Sequence, residues 1–232
     1  MKKRVKKYLY ATIIIAFGLL CNQFLNETES SPKVQSVSSI NEIENYSGSD
    51  FININNNIPY FTSEELKLEN YEEYGDLDNL GRCTKAFAVV SKKTMPTEKK
   101  GSIGMIKPSG WHTIKYDNID GKYLYNRCHL IGYQLTGQNA NEKNLITCTR
   151  QMNSKTMLIF ENKVANYIKE TGNKVLYRVT PVFEGNNLLA KGVQIEAYSK
   201  EDNGEGISFN VFVYNVQDGI QIDYTNGESR RE

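Results

Sequence analysis

The chain has 232 residues, 39% of them apolar and 24% charged, with two histidines and a formal net charge of +1. That balance excludes a disordered or many-span membrane chain, and the length suits a globular protein with one sizeable core. The near-neutral total hides an asymmetry: without Lys2, Lys3, Arg4, Lys6 and Lys7 there are 23 basic against 27 acidic residues, a net of −4.

Those five cations precede an apolar run, residues 9–20, the arrangement of a secretory signal. Residues 21–25 would extend it towards a spanning length, so residues 1–25 read as a cleaved signal or a retained membrane anchor. The Leu before Cys21 argues against a lipoprotein site. Residues 26–57, rich in Asn, Ser and Glu and without a sustained period, read as a flexible linker. The folded domain is expected over residues 58–232. Thr62 and Glu65 have capping-box spacing. Residues 84–91 predict a strand, and the Gly- and Pro-containing stretch up to Trp111 predicts a loop.

Residues 123–131 and 145–149 predict β segments joined by a polar connection over 132–143. From Met157 to Thr171 the apolar residues Phe160, Val164, Tyr167 and Ile168 recur at helical spacing, and Gly172 supplies the stop. Three further β segments follow at 174–183, 192–199 and 207–214. The order predicts an α+β fold, a mainly antiparallel sheet with packed helices. Outside the N-terminal segment, Cys83, Cys128 and Cys148 have no regular spacing. They read as three buried thiols, with a single bridge as the alternative, and the lack of a Cys-x-x-Cys pair argues against structural zinc.

The chemistry concentrates around Asn126-Arg127-Cys128-His129-Leu130. On a strand, Arg127 and His129 share a face, so one phosphate can meet a fixed positive charge and a base that titrates near neutrality. Cys128 points the other way, with Leu124, Asn126 and Leu130. Downstream, Asn153 and Glu161 place amide and carboxylate oxygens on the helix, the donors a hard cation prefers. Asn153 has a second reading as a helix cap, Glu161 as a solvated carboxylate and Asn144 as a turn residue. Between residues 121 and 155, Lys122, Arg127, Lys143, Arg150 and Lys155 face only Glu142, an excess suited to a polyanion. Arg82 and Arg150 are further phosphate candidates. His112 reads as a packed or solvated histidine.

The Asn-Arg-Cys-His stretch resembles a variant of the Asp-Arg-Gly-His signature of the DNA/RNA non-specific endonucleases, ββα-metal (His-Me finger) enzymes. It is most similar to the secreted streptococcal-type deoxyribonucleases. The resemblance extends from about residue 59 to 227 through Leu-Gly-Arg-Cys at 80–83, Met-Pro-Thr-Glu-Lys at 95–99, Pro-Ser-Gly-Trp at 108–111 and Tyr-Arg-Val-Thr-Pro at 177–181. It continues through Phe-Asn-Val at 209–211, Asn-Val-Gln at 215–217 and Gln-Ile-Asp-Tyr at 221–224. It implies a ββα-metal motif, His129 as general base, Arg127 on the scissile phosphate and one Mg2+ held by Asn153, with Mn2+ as a substitute. It also implies that Glu161 and Asn144 support the metal's water shell or the ligand. The implied activity is phosphodiester hydrolysis of DNA, or RNA, with little sequence preference and 5′-phosphate products. Asn126 and Cys128 depart from the signature's Asp and Gly, and Gln134 stands where a small residue is expected. The competing readings are a membrane-anchored DNA-uptake nuclease, a non-catalytic nucleic-acid binder, and a thiol hydrolase pairing Cys83 with His129. No protein partner is evident.

Overall fold

The structure, a computed structural model, describes residues 34–232. The signal or anchor reading of residues 1–25 and the start of the expected linker lie outside the described residues.

In chain order the elements are β1 (Ser36–Val37), β2 (Phe51–Ile54), β3 (Glu72–Tyr74), β4 (Ala86–Val90), β5 (Tyr125–His129), α1 (Tyr133–Thr136) and β6 (Leu145–Thr149). They continue with α2 (Met157–Thr171), β7 (Val175–Val182), β8 (Gly192–Ser199), β9 (Ser208–Tyr214), β10 (Ile220–Ile222) and β11 (Ser229–Arg231). Seven strands form one sheet in the order β1-β2-β9-β8-β7-β4-β3, with only β1–β2 parallel, so the α+β, mainly antiparallel expectation holds. No helix among the described residues is long and apolar enough to cross a membrane.

Strand alternation gives the sheet two buried faces. On one, Val175, Tyr177 and Val179 of β7 join Val193, Ile195 and Ala197 of β8 in a core that also takes Cys128, Leu130, Ile146 and Cys148 from β5–β6 and Met157, Phe160, Val164 and Ile168 from α2. The hairpin and helix that carry the predicted site are therefore anchored on the sheet. On the other face Phe87, Val89 and Leu176 pack with Phe61 and Tyr71, and Arg178 binds both Glu196 and Glu65 at 2.8 Å. The capping box forms reciprocally, Thr62 N–H to Glu65 at 2.9 Å and Glu65 N–H to Thr62 Oγ1 at 3.2 Å, on a short 3-10 turn. Helix α2 ends at Gly172 in left-handed backbone, φ 81°.

Two expectations are corrected. Residues 34–57 are not a flexible linker: β2 pairs with β9, and Ile52 and Ile54 are buried against Phe212 and Tyr214. The Asn-rich run that reads as a tether is a turn, in which Asn55, Asn56 and Asn57 take φ of 50°, 52° and 65°. Asn tolerates that left-handed region better than most residues. Nor are the three cysteines all thiols. Cys128 and Cys148 form a disulfide, with Cα atoms 5.8 Å apart. Cys128 pairs with Ile146 and Asn126 with Cys148, so the two cysteines are diagonal neighbours on the core face of one hairpin. Cys83 alone is free and buried.

Candidate active site

Strands β5 and β6 form a hairpin in which Arg127 opposes Thr147 and His129 opposes Leu145. The chain leaves β6 and enters α2 through a π-helical stretch, Met152–Thr156, the kind of widened turn that recurs at functional sites. Asn153 sits in that stretch. Helix α2 then runs back along the hairpin, bringing Glu161 against Gly132, three residues past His129. A cleft of about 470 Å³ opens between β5, the preceding loop and the π-helical stretch, lined by Lys100, Trp111, Tyr123, Asn126, Arg127 and Asn153 among others; His129 and Glu161 are not part of its lining. A larger recess at the β10–β11 hairpin contains none of the predicted site residues.

His129, the last residue of β5, is 6% exposed. Its Nε2 lies 2.8 Å from the carbonyl oxygen of Asn139, where the chain returns after α1. A carbonyl can only accept, so the ring proton sits on Nε2 and the lone pair on Nδ1. Burial lowers its pKa to about 4, helped by the Lys100 charge and opposed by the Asn139 and Gln138 backbone. The imidazole is therefore neutral at ordinary pH.

Arg127 lies on the loop side of the cleft. Its Nε donates to the Ile106 carbonyl and its Nη2 to the Gly104 carbonyl at 2.9 Å, and the guanidinium stacks 3.9 Å from the centroid of Trp111. Nη1 has no hydrogen-bond partner among the described residues. Glu161 is half-buried, and desolvation pushes its carboxyl up to about 7 against the opposing pulls of Gln134 and Lys100. Asn144 is fully buried, and its amide exchanges two hydrogen bonds with the backbone of Ile131, at 2.9 and 3.0 Å. It braces the chain just past His129 rather than facing the cleft.

The remaining arginines are not brought to the cleft. Arg82 pairs with Asp78 at 2.7 Å, donates to the carbonyls of Gly185 and Asn187, and covers Phe183. Arg150 pairs with Asp120 at 2.9 Å. Lys122 and Lys143 likewise meet Asp117 and Asp76, so acids from outside residues 121–155 offset much of the local positive excess. His112 binds the Asn226 carbonyl on the surface. Cys83 donates to the carbonyls of Glu142 and Leu145, and burial pushes its thiol up to about 12. A buried neutral thiol is no nucleophile, which removes the thiol-hydrolase reading.

Lys100 is the residue that motif reasoning passes over. Burial lowers its pKa below the usual lysine range while the nearby Glu161 carboxylate opposes, and it lines the cleft beside Arg127 and Asn153. Its one signal in the sequence is its place directly after the Met-Pro-Thr-Glu-Lys motif. The side chain of Asn153 forms no hydrogen bond with other described residues, so its amide oxygen is free for a cation. Among the described residues no cluster of three or more His, Cys, Asp or Glu could cage a metal ion. The donors on hand fit a hydrated hard cation held by few protein atoms.

The sequence model of the DNA/RNA non-specific endonucleases matches residues 61–201, well over half of the chain. The chain belongs to this family. A curated deoxyribonuclease of Streptococcus dysgalactiae subsp. equisimilis is 28% identical over 209 residues, covering 72% of this chain and 62% of the relative. The chain thus spans under two thirds of that relative's length. Among solved structures, NucA from Streptococcus agalactiae with magnesium bound superposes with a TM-score of 0.72 at 23% identity, covering 84% of this chain and 94% of NucA. The Sda1 nuclease with bound zinc gives 0.59 at 29% identity, covering 70% and 81%. The fold of this endonuclease-family chain is thus that of NucA, and relatives carry divalent metal.

Proposed function

We propose that this family member is an exported, magnesium-dependent endonuclease that hydrolyses DNA, and RNA as a second substrate, with little sequence preference. The observation that carries the reading is the neutral His129, whose Nδ1 lone pair is left free by the Asn139 carbonyl, on the strand that also supplies Arg127 to the cleft. His129 takes a proton from water as that water attacks phosphorus; the bond from phosphorus to the 3′-oxygen breaks, the departing oxygen takes its proton from solvent, and a 5′-phosphate is left. Arg127, through Nη1, and Lys100 bind the phosphoryl oxygens and stabilise their growing charge. Asn153 would hold the cation and Glu161 would support its water shell, while Asn144 keeps the backbone beyond His129 in place. When bound, magnesium supplies Lewis-acid stabilisation of the phosphate and of the departing oxygen. Recognition through phosphates, with Trp111 and Tyr123 as flat apolar walls, accounts for weak sequence preference.

Export is supported by the basic and apolar start of the sequence and by the Cys128–Cys148 disulfide, which persists in oxidising compartments. The test is a digest of plasmid DNA and of RNA with magnesium, manganese or EDTA. Cleavage that stops in EDTA and falls roughly 100- to 10,000-fold in His129→Ala is expected. Undiminished cleavage by that variant removes the base. The alternative reading, a non-catalytic binder that holds nucleic acid at the envelope, draws on Arg127 being engaged by loop carbonyls. DNA binding without cleavage by the native protein in either metal would establish it.

A further inference from the structure

Gly132 links β5 to α1 with φ −55° and ψ 143°, backbone that every L residue adopts freely. Conformation therefore gives no reason for a glycine here, but space does. A Cβ at this position would stand 2.6 Å from Cδ and 2.9 Å from Oε1 of Glu161, well inside van der Waals contact. The carboxylate is also approached by Gln134 Nε2 at 3.4 Å, from the first turn of α1. Below the hairpin, the Tyr177 hydroxyl is fully buried, has no hydrogen-bond partner among the described residues, and senses the Glu161 charge.

We propose that Gly132 is a positioning residue: the volume its missing side chain leaves free is the seat that fixes the Glu161 carboxylate beside the cleft. This rests on the reading of Glu161 as part of the hydrolytic site. The seat ties the orientation of a helix carboxylate to the backbone that follows the base, so His129 and Glu161 are set by one short segment. The three atoms nearest a methyl group at Gly132 all belong to the far end of the flexible Glu161 side chain, so the carboxylate swings out and the backbone stays in place. Folding and function should therefore separate.

The experiment compares the native protein with Gly132→Ala, Glu161→Gln, Glu161→Asp and the double variant Gly132→Ala/Glu161→Asp. Thermal melting, magnesium affinity by calorimetry and steady-state cleavage are measured for each. Gly132→Ala should melt within about 3 °C of the native protein. Its magnesium affinity or kcat should fall about 10- to 100-fold, the range seen when a group that orients a metal's surroundings is disturbed. Aspartate ends one methylene short of the seat, so adding the methyl to Glu161→Asp should change both readouts less than about threefold. The double variant also serves if Gly132→Ala alone folds poorly. Equal losses in both backgrounds, or a fully active Gly132→Ala beside a damaged Glu161→Gln, would overturn the seat alone. A fully active Glu161→Gln would overturn the role of Glu161 and the proposal with it.

Discussion

His129 owes its state to two neighbours acting in different ways. The Asn139 carbonyl decides which nitrogen bears the proton, and burial beside Lys100 decides that the second proton is refused until about pH 4. The acid limb that His129 gives kcat/KM should accordingly lie well below the ~6.5 of a solvated histidine, apart from the limb near 7 that the raised Glu161 carboxyl adds. A Glu161→Gln profile that still falls off near 6.5 would contradict the burial of His129. The same displacement acts on stability. The unfolded chain takes up the proton below about 6.5 and the folded chain does not, so stability falls as pH drops from about 6.5 to 4, by up to about 3 kcal/mol. His129→Asn should lose less melting temperature than the native protein between pH 7 and 4.5, measured by calorimetry. Arg127 and Arg178 make a useful contrast at this scale. Both follow a tyrosine on a strand within two residues, yet Arg178 is consumed by Glu196, itself 5% exposed, and by Glu65. Arg178→Ala should cost about 3–5 kcal/mol by stranding a buried carboxylate, while leaving the cleft residues intact. Urea unfolding measures the first effect and the kcat of the remaining folded protein the second.

At the scale of elements, the proposed site draws its residues from one hairpin and one helix, and both were legible from local pattern. Residues 145–149 and 157–171 fall where the β-branched run and the helical spacing of Phe160, Val164 and Ile168 put them. The stop at Gly172 also falls in place, because a left-handed residue is needed there. The cross-strand disulfide was not legible, since register decides which cysteines meet and register is not a local property. It closes a 20-residue loop around the polar connection that carries Gly132 and Asn139. Removing it by Cys128→Ser with Cys148→Ser should cost about 3 kcal/mol by the chain-entropy relation. Melting with and without reductant checks this, and an unchanged melting temperature would mean that the bridge contributes nothing in solution.

At the scale of the whole molecule, the sheet extends past the boundary that composition draws. Strand β2 contributes Ile52 and Ile54 to one face and Phe51 to the other, and Asp50 accepts hydrogen bonds from Gln151 and Thr156 beside the helix. A chain beginning at residue 58 should therefore be several kcal/mol less stable than one beginning at residue 34, at about 1.5–3 kcal/mol for each buried aliphatic side chain lost. Chemical denaturation of the two compares them directly. Equal stability would restore the linker reading.

Residue types and their spacing by themselves determined the strand that pairs Arg127 with His129, the helix carrying Glu161 and the stretch leading to Asn153. Each of these follows from side-chain period and backbone preference acting over a few residues. The tertiary structure alone decided which charges are spent and which are free. Arg82 is satisfied by carbonyls more than a hundred residues away, at Gly185 and Asn187, and Arg150 by Asp120. It likewise decided that Lys100 faces the cleft, that Asn139 directs the imidazole and that Gly132 leaves room for a carboxylate. Contacts of that kind exist only once distant segments have packed, and no local pattern encodes them.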